Sequence, residues 1–116
     1  MEYLQKIDWN LFKQCVDGDA TNLVINKILK LQEEVGELAA IWLAKINASN
    51  KSGSSVRQLE EDPSAVMEEA LDVLLVTIDL IEAIKKHEKI SDDVIANIFN
   101  RKVRKWARKL EKSKEG

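Results

Sequence analysis

Two apolar stretches that each carry a pair of acidic residues decide the fold. They are ILKLQEEVGELAAIWLAKI at residues 28–46 and AVMEEALDVLLVTIDLI at residues 65–81. In both, apolar residues recur at spacings of three and four, which is the period of a packed α-helix. They surround most of each helix, as is typical of helices buried on more than one side. We therefore predict two long central helices inside a helical bundle.

The same periodicity continues through most of the chain and predicts an all-α protein. Four helices are expected, at about residues 2–15, 20–47, 64–87 and 92–112. Asp19 or Thr21 could cap the second helix, and Ser91 or Asp92 could cap the fourth, because their side chains accept hydrogen bonds from free backbone N–H groups. The polar segment 47–63 is expected to be a mobile loop, in which VRQLEED can form a short helical turn.

Composition favours one small cytoplasmic domain. The chain has 116 residues, 45% of them hydrophobic, and a formal net charge of −2, so we predict a single folded domain over 1–116. Cys15 is the only cysteine, which excludes an intrachain disulfide. The N-terminus has no basic segment followed by an apolar one, and no apolar run is long enough to span a bilayer. We expect no secretory signal and no membrane partner.

The central helices also predict self-association. A chain of 116 residues can hardly cover two helices that are apolar nearly all round. We therefore expect a homodimer or homotetramer in which the long central helices form the interface. Trp42 and Ile46 are candidates for that interface.

The acidic pairs point to a cation. Glu34 and Glu37 lie three residues apart, as do Glu69 and Asp72, so each pair shares one helix face. Antiparallel packing of the two helices would bring both pairs together, and their mutual repulsion would favour a bound divalent cation. An all-oxygen ligand set suits Mg²⁺, with Mn²⁺ as a substitute. A simple solvated face, with Lys30 paired to Glu34, is the alternative.

Iron and zinc fit the sequence less well. Carboxylate-bridged di-iron bundles use a Glu-x-x-His motif on two helices. His87 is the only histidine of the chain, and no Glu-x-x-His motif occurs.

The two acidic motifs resemble a known enzyme signature. EEVGE at 33–37 and EEALD at 68–72 are similar to the EExxE…ExxD signature of the MazG-like all-α nucleoside triphosphate pyrophosphohydrolases. NRKVRKW at 100–106 resembles the Asn-x-Lys-x-x-Arg stretch of that family, with lysine at 105 where arginine is more usual. The resemblance spans about residues 20–106. It implies a four-helix-bundle-like MazG fold and Mg²⁺-dependent hydrolysis of (deoxy)nucleoside triphosphates to the monophosphate and pyrophosphate, in nucleotide-pool housecleaning.

The resemblance also implies roles for single residues. The expected metal ligands are Glu34, Glu37, Glu69 and Asp72. Glu33, or a metal ligand such as Glu34, would activate the attacking water. The expected phosphate-binding residues on the fourth helix are Asn100, Lys102 and Lys105.

Further substrate contacts are suggested by the residues themselves. Lys30 and Lys27 lie on or near the acidic face and could also reach phosphate. Trp9 stands among polar residues and offers a flat ring on which a base could stack.

Two other classes of function compete with the enzyme. RKVRKWARKLEKSK at 101–114 holds eight Lys or Arg residues and one Glu, so a basic helix could bind nucleic acid. A non-enzymatic helical bundle that binds a partner protein is the other alternative. Nucleic-acid binding leaves the acidic motifs unexplained, and the bundle predicts no metal dependence and tolerance of Glu→Gln at 34, 37 and 69. We rank both below the enzyme.

Overall fold

The computed structural model describes residues 1–19, 23–49 and 64–115, and 91% of these residues are helical. The described part of the chain contains no strand, which confirms the all-α prediction. Its helices are α1 Tyr3–Lys6, α2 Trp9–Gly18, α3 Val24–Ser49, α4 Ser64–Glu88 and α5 Asp92–Glu115. None of these helices has the length and apolar character needed to cross a membrane.

The chain groups into two compact units, Met1–Ala83 and Ile84–Gly116. The first unit contains α1, α2, α3 and most of α4. The second contains the last five residues of α4 and all of α5. The boundary falls inside α4, and the single domain expected over 1–116 stays a prediction.

The prediction of one helix over 2–15 is wrong, because the chain breaks between α1 and α2. Ile7 has extended backbone angles (φ −72°, ψ 138°). The Asp8 carboxylate accepts a hydrogen bond of 3.0 Å from the Leu11 N–H and so caps a new helix. The Trp9 indole N–H donates to the Leu4 carbonyl across the break, at 2.8 Å. Local capping has overridden the apolar periodicity.

The predicted start and end of the second helix are also shifted. Asp19 is extended (φ −75°, ψ 115°) and ends α2 instead of capping α3, which begins at Val24. Thr21, the other expected cap, lies outside the described residues. Helix α3 continues to Ser49, so residues 47–49 are helical and not loop. The rest of the expected loop, with VRQLEED, also lies outside the described residues.

Helices α3 and α4 run antiparallel within the first unit. The Lys27 ammonium of α3 lies 2.7 Å from the Asp79 carboxylate of α4. Ten residues further along α3, Glu37 meets Glu69, which is ten residues earlier on α4. Few side chains are buried along this pair: among the described residues, only Val76, Lys27 and Glu34 are buried.

The second unit is held by the turn between α4 and α5. The Ile90 N–H donates to the Lys85 carbonyl at 3.0 Å, and Lys89 between them has a positive φ of 55°. This is the Schellman arrangement that often ends a helix. Ser91 then caps α5, as predicted, by accepting from the Val94 N–H at 3.3 Å.

Replacing Lys89 by glycine should stabilise the protein. A lysine at positive φ is strained, whereas glycine adopts this conformation freely. We expect K89G to raise the free energy of unfolding by about 0.5 to 1 kcal/mol, measured by urea denaturation. The control is K86G in the last turn of α4, which should lower it by about 1 kcal/mol. A loss of stability in K89G would contradict the assignment of this turn.

Candidate metal centre

The structure brings three predicted ligands together in the first unit. Glu34 and Glu37 stand one turn apart on α3, and Glu69 faces them from α4. Each offers a carboxylate oxygen, and these oxygens all lie within 4.8 Å of one another. We call Glu34, Glu37 and Glu69 the glutamate cluster. Helix periodicity accounts for the pair on α3, and the antiparallel packing brings the third glutamate to it.

Two oxygens of the glutamate cluster are withdrawn from water without a partner. Glu34 is 7% exposed. Its Oε2 and the Oε2 of Glu69 are buried and accept no hydrogen bond in the described part of the chain. A buried carboxylate oxygen that accepts nothing carries a desolvation cost of about 1 to 3 kcal/mol or more. Native proteins usually satisfy such atoms with protein groups, water or a ligand, so these two oxygens mark a place where a ligand could bind.

The repulsion among the carboxylates is visible at Glu37. The charge of Glu34 raises the pKa of Glu37 above its ordinary value of 4.5, and burial and the charges of Glu69 and Glu33 add to it. Like charges at this separation favour the neutral form of one of them. A cation at the glutamate cluster would reverse this effect by favouring all carboxylates in the ionised form.

Lys30 places a positive charge at the edge of the glutamate cluster. Its ammonium lies 3.2 Å from Glu34 Oε1 and 3.6 Å from Glu33 Oε2, on the same helix. The hydrogen bond to Glu34, followed by the charges of Glu33 and Glu34, raises the pKa of Lys30. The ion pair that the sequence offered as an alternative is therefore present, but it satisfies only one oxygen of Glu34.

The charge of the cluster favours a cation. When its three carboxylates are ionised they carry three negative charges, and the Lys30 ammonium, which also pairs with Glu33, offsets only part of them. All donors are carboxylate oxygens, which hard cations such as Mg²⁺ and Mn²⁺ prefer. The arrangement can therefore hold a divalent cation at the seam between α3 and α4.

The remaining acidic residues of the prediction lie beside the cluster. Asp72 is exposed, one turn along α4 from Glu69, and its carboxylate does not belong to the group of converging oxygens. Glu33 is exposed and contacts Lys30. Their roles as a metal ligand and a water-activating group stay predictions.

The predicted substrate residues lie on other elements. The Trp9 ring is partly exposed and packs edge-on against Phe12, with centroids 6.0 Å apart. Asn100, Lys102 and Lys105 are exposed on α5, in the second unit. Base stacking and phosphate binding by these residues stay predictions.

Lys27 differs from the expectation and reveals residues that the sequence reasoning missed. Its ammonium lies 2.8 Å from an Asp19 oxygen and 2.7 Å from an Asp79 oxygen, so it is engaged in ion pairs and not offered to phosphate. Asp79 was not singled out, and Asp19 was expected only as a helix cap. The spacing could have indicated this contact. Lys27 precedes Glu34 by seven residues, so both lie near one face of α3. Asp79 follows Asp72 by seven residues, so both lie near one face of α4.

Comparisons with family models, with curated proteins and with solved structures gave no match for this chain. The resemblance to the MazG-like enzymes therefore stays an expectation from the acidic and basic motifs.

Removing the Lys30 charge should strengthen cation binding at the glutamate cluster. Lys30 competes with a cation for Glu34 and repels it. We expect K30M to lower the Kd for Mn²⁺ by roughly two- to fivefold, measured by electron paramagnetic resonance of free Mn²⁺ at low salt.

The control for this measurement is K45M, which removes a lysine two turns beyond Glu37 on α3. Its Kd for Mn²⁺ should stay close to that of the unmodified protein. Weaker Mn²⁺ binding by K30M than by K45M would show that Lys30 holds the carboxylates in place and does not compete with the cation.

Proposed function

We propose that this chain binds Mg²⁺ through the glutamate cluster and hydrolyses (deoxy)nucleoside triphosphates to the monophosphate and pyrophosphate. The observation that supports this most is the pair of buried oxygens on Glu34 and Glu69 that accept no hydrogen bond from any described residue. They belong to a group of three converging carboxylates that carries more negative charge than Lys30 compensates.

The donor set fits Mg²⁺ or Mn²⁺. In this proposal Glu34, Glu37 and Glu69 hold the ion, and Asp72 joins them as a fourth ligand from the next turn of α4. A bound Mg²⁺ would neutralise the negative charge of phosphate oxygens and of the leaving pyrophosphate. Sites that leave room for substrate phosphates are the common use of Mg²⁺ in enzymes.

The other residues have distinct roles in the proposal. Glu33 is exposed at the edge of the cluster and orients or deprotonates the attacking water. Lys30, partly exposed beside it, binds phosphate once a cation has taken its place at Glu34. Lys102 and Lys105 add positive charge for phosphate oxygens, Asn100 donates a hydrogen bond, and Trp9 stacks on the base. The nucleotide class itself rests on the resemblance of EEVGE, EEALD and NRKVRKW to the family signature.

The proposed reaction is tested by product analysis with a panel of NTPs and dNTPs. We expect Mg²⁺-dependent release of monophosphate and pyrophosphate, abolished by EDTA. E69Q should lower the rate by at least about a hundredfold, because it removes a ligand charge at the cluster. E68Q is the matched control, since Glu68 is the exposed neighbour of Glu69 outside the cluster, and it should keep most of the rate.

Two results would contradict the proposal in different ways. Cation binding without turnover of any nucleotide would keep the metal site and remove the reaction. Equal behaviour of the unmodified protein and E69Q, with no cation bound, would favour the non-enzymatic helical bundle.

We also propose that the chain is a homodimer or homotetramer. On α3, Ile28, Val35 and Trp42 recur at seven-residue spacing, with Ile46 four residues further, and all are exposed. A stripe of large apolar side chains on one helix face is typical of a surface covered by another helix. The seven-residue repeat would let two copies of α3 pack along this stripe, and we propose that a second copy of α3 covers it.

The mass in solution tests this assembly. We expect light scattering to give two or four times the mass of one chain, and W42E to shift it toward a single chain because it places a charge in the stripe. A44E, on the opposite side of α3, is the control and should leave the mass unchanged. A single-chain mass for the unmodified protein would contradict the proposal.

A second candidate function rests on α5. The eight Lys and Arg residues at 101–114 are exposed, and none forms an ion pair with a described residue. Such a helix can bind nucleic acid through phosphate contacts. This function leaves the glutamate cluster without a role, and we rank it second.

A further inference from the structure

A buried lysine joins three elements of the first unit. Lys27 is 6% exposed, and its ammonium is held at 2.8 Å by Asp19, which follows α2, and at 2.7 Å by Asp79 on α4. Burial opposes the charged form of Lys27, but the hydrogen bonds and charges of the two aspartates outweigh it and raise its pKa. We call Lys27, Asp19 and Asp79 the lysine triad.

The contacts in the lysine triad and in the glutamate cluster belong to the same alignment of α3 against α4. Lys27 meets Asp79, and Glu37 meets Glu69. From the first contact to the second, α3 advances by ten residues and α4 goes back by ten, which is about 15 Å along each helix. The two contacts therefore lie in one antiparallel register, and fixing the first fixes the second.

Apolar contacts alone would fix this register poorly. Residues 65–81 are rich in Val, Leu and Ile, and such side chains exchange for one another at a helix seam with little change in volume. An ion pair differs, because a shift of one helical turn, about 5.4 Å, would leave a buried ammonium without its partner. Selection of a register is the best-attested use of a buried polar group between helices.

We propose that the lysine triad sets the register of α3 against α4 and thereby aligns Glu34 and Glu37 with Glu69. Lys27 is a positioning residue that acts through the backbone of α3 and touches neither cation nor substrate. The effect of this alignment on cation binding rests on the proposed metal site. The role of the triad in setting the register does not depend on that site.

The test replaces the ion pair by apolar residues of similar size in K27M/D79L. Apolar replacement of a buried ion pair is often neutral or stabilising, so the variant should remain helical. We expect duplicated or broadened backbone amide resonances for α3 and α4, because more than one register is populated. The Kd for Mn²⁺ should rise at least about tenfold, since part of the population has no aligned cluster.

Two further variants separate register from general damage. D79E keeps the charge opposite Lys27 and should retain a single set of resonances, with a Kd for Mn²⁺ within about threefold of the unmodified protein. K85M/D92L removes an ion pair of 2.6 Å in the second unit. It is the matched control and should change neither the resonances of α3 nor the Kd.

The outcomes distinguish this proposal from the proposed function. If the unmodified protein binds no Mn²⁺, the metal site fails, and the resonances still decide the register. A single set of resonances with unchanged Mn²⁺ binding in K27M/D79L would overturn the role of the triad. Unfolding of K27M/D79L would overturn it as well, because the triad would then supply stability and not alignment.

Discussion

The ammonium of Lys27, held between two aspartates, is the interaction on which the first unit depends. It is among the few buried side chains of the described residues, and it joins the end of α2 to both long helices. Few apolar side chains are buried between α3 and α4. In our proposal, ion pairs therefore determine the alignment that close packing usually determines. In the lysine triad the ammonium is paired with carboxylates. About two turns along α3, the glutamate cluster brings like charges together.

The lysine triad and the glutamate cluster therefore differ in their expected roles, one structural and one in binding. In the lysine triad, each charge has a partner of opposite sign at hydrogen-bonding distance, which is how a fold retains buried charge. In the glutamate cluster, like charges converge, and two oxygens accept no hydrogen bond from the part of the chain that the structure describes. A protein gains no stability from such an arrangement in isolation, and converging carboxylates of this kind occur at functional sites as well as in structural networks.

The sequence predicts much of this structure where the signal is periodic and local. The long helices, the Ser91 cap and the convergence of Glu34, Glu37 and Glu69 follow from spacing. The break at Asp8 was missed because one side chain's hydrogen bond outweighs an apolar pattern of several residues. The partner of Lys27 was missed because Asp79 lies 52 residues away, and only an assumed register could pair them. Asp72 shows the limit of periodicity, since sharing a helix face with Glu69 does not bring its carboxylate into the cluster.

The location of the lysine triad has a consequence for how such a chain can change. In the proposed register, side chains within α3 and α4 set the alignment, so the length of the connection does not enter into it. An insertion of one residue between Lys27 and Glu34 would instead turn the glutamates by about 100° away from Glu69. An insertion within the seven residues from Lys27 to Glu34 should therefore disturb the cluster more than an insertion between α3 and α4.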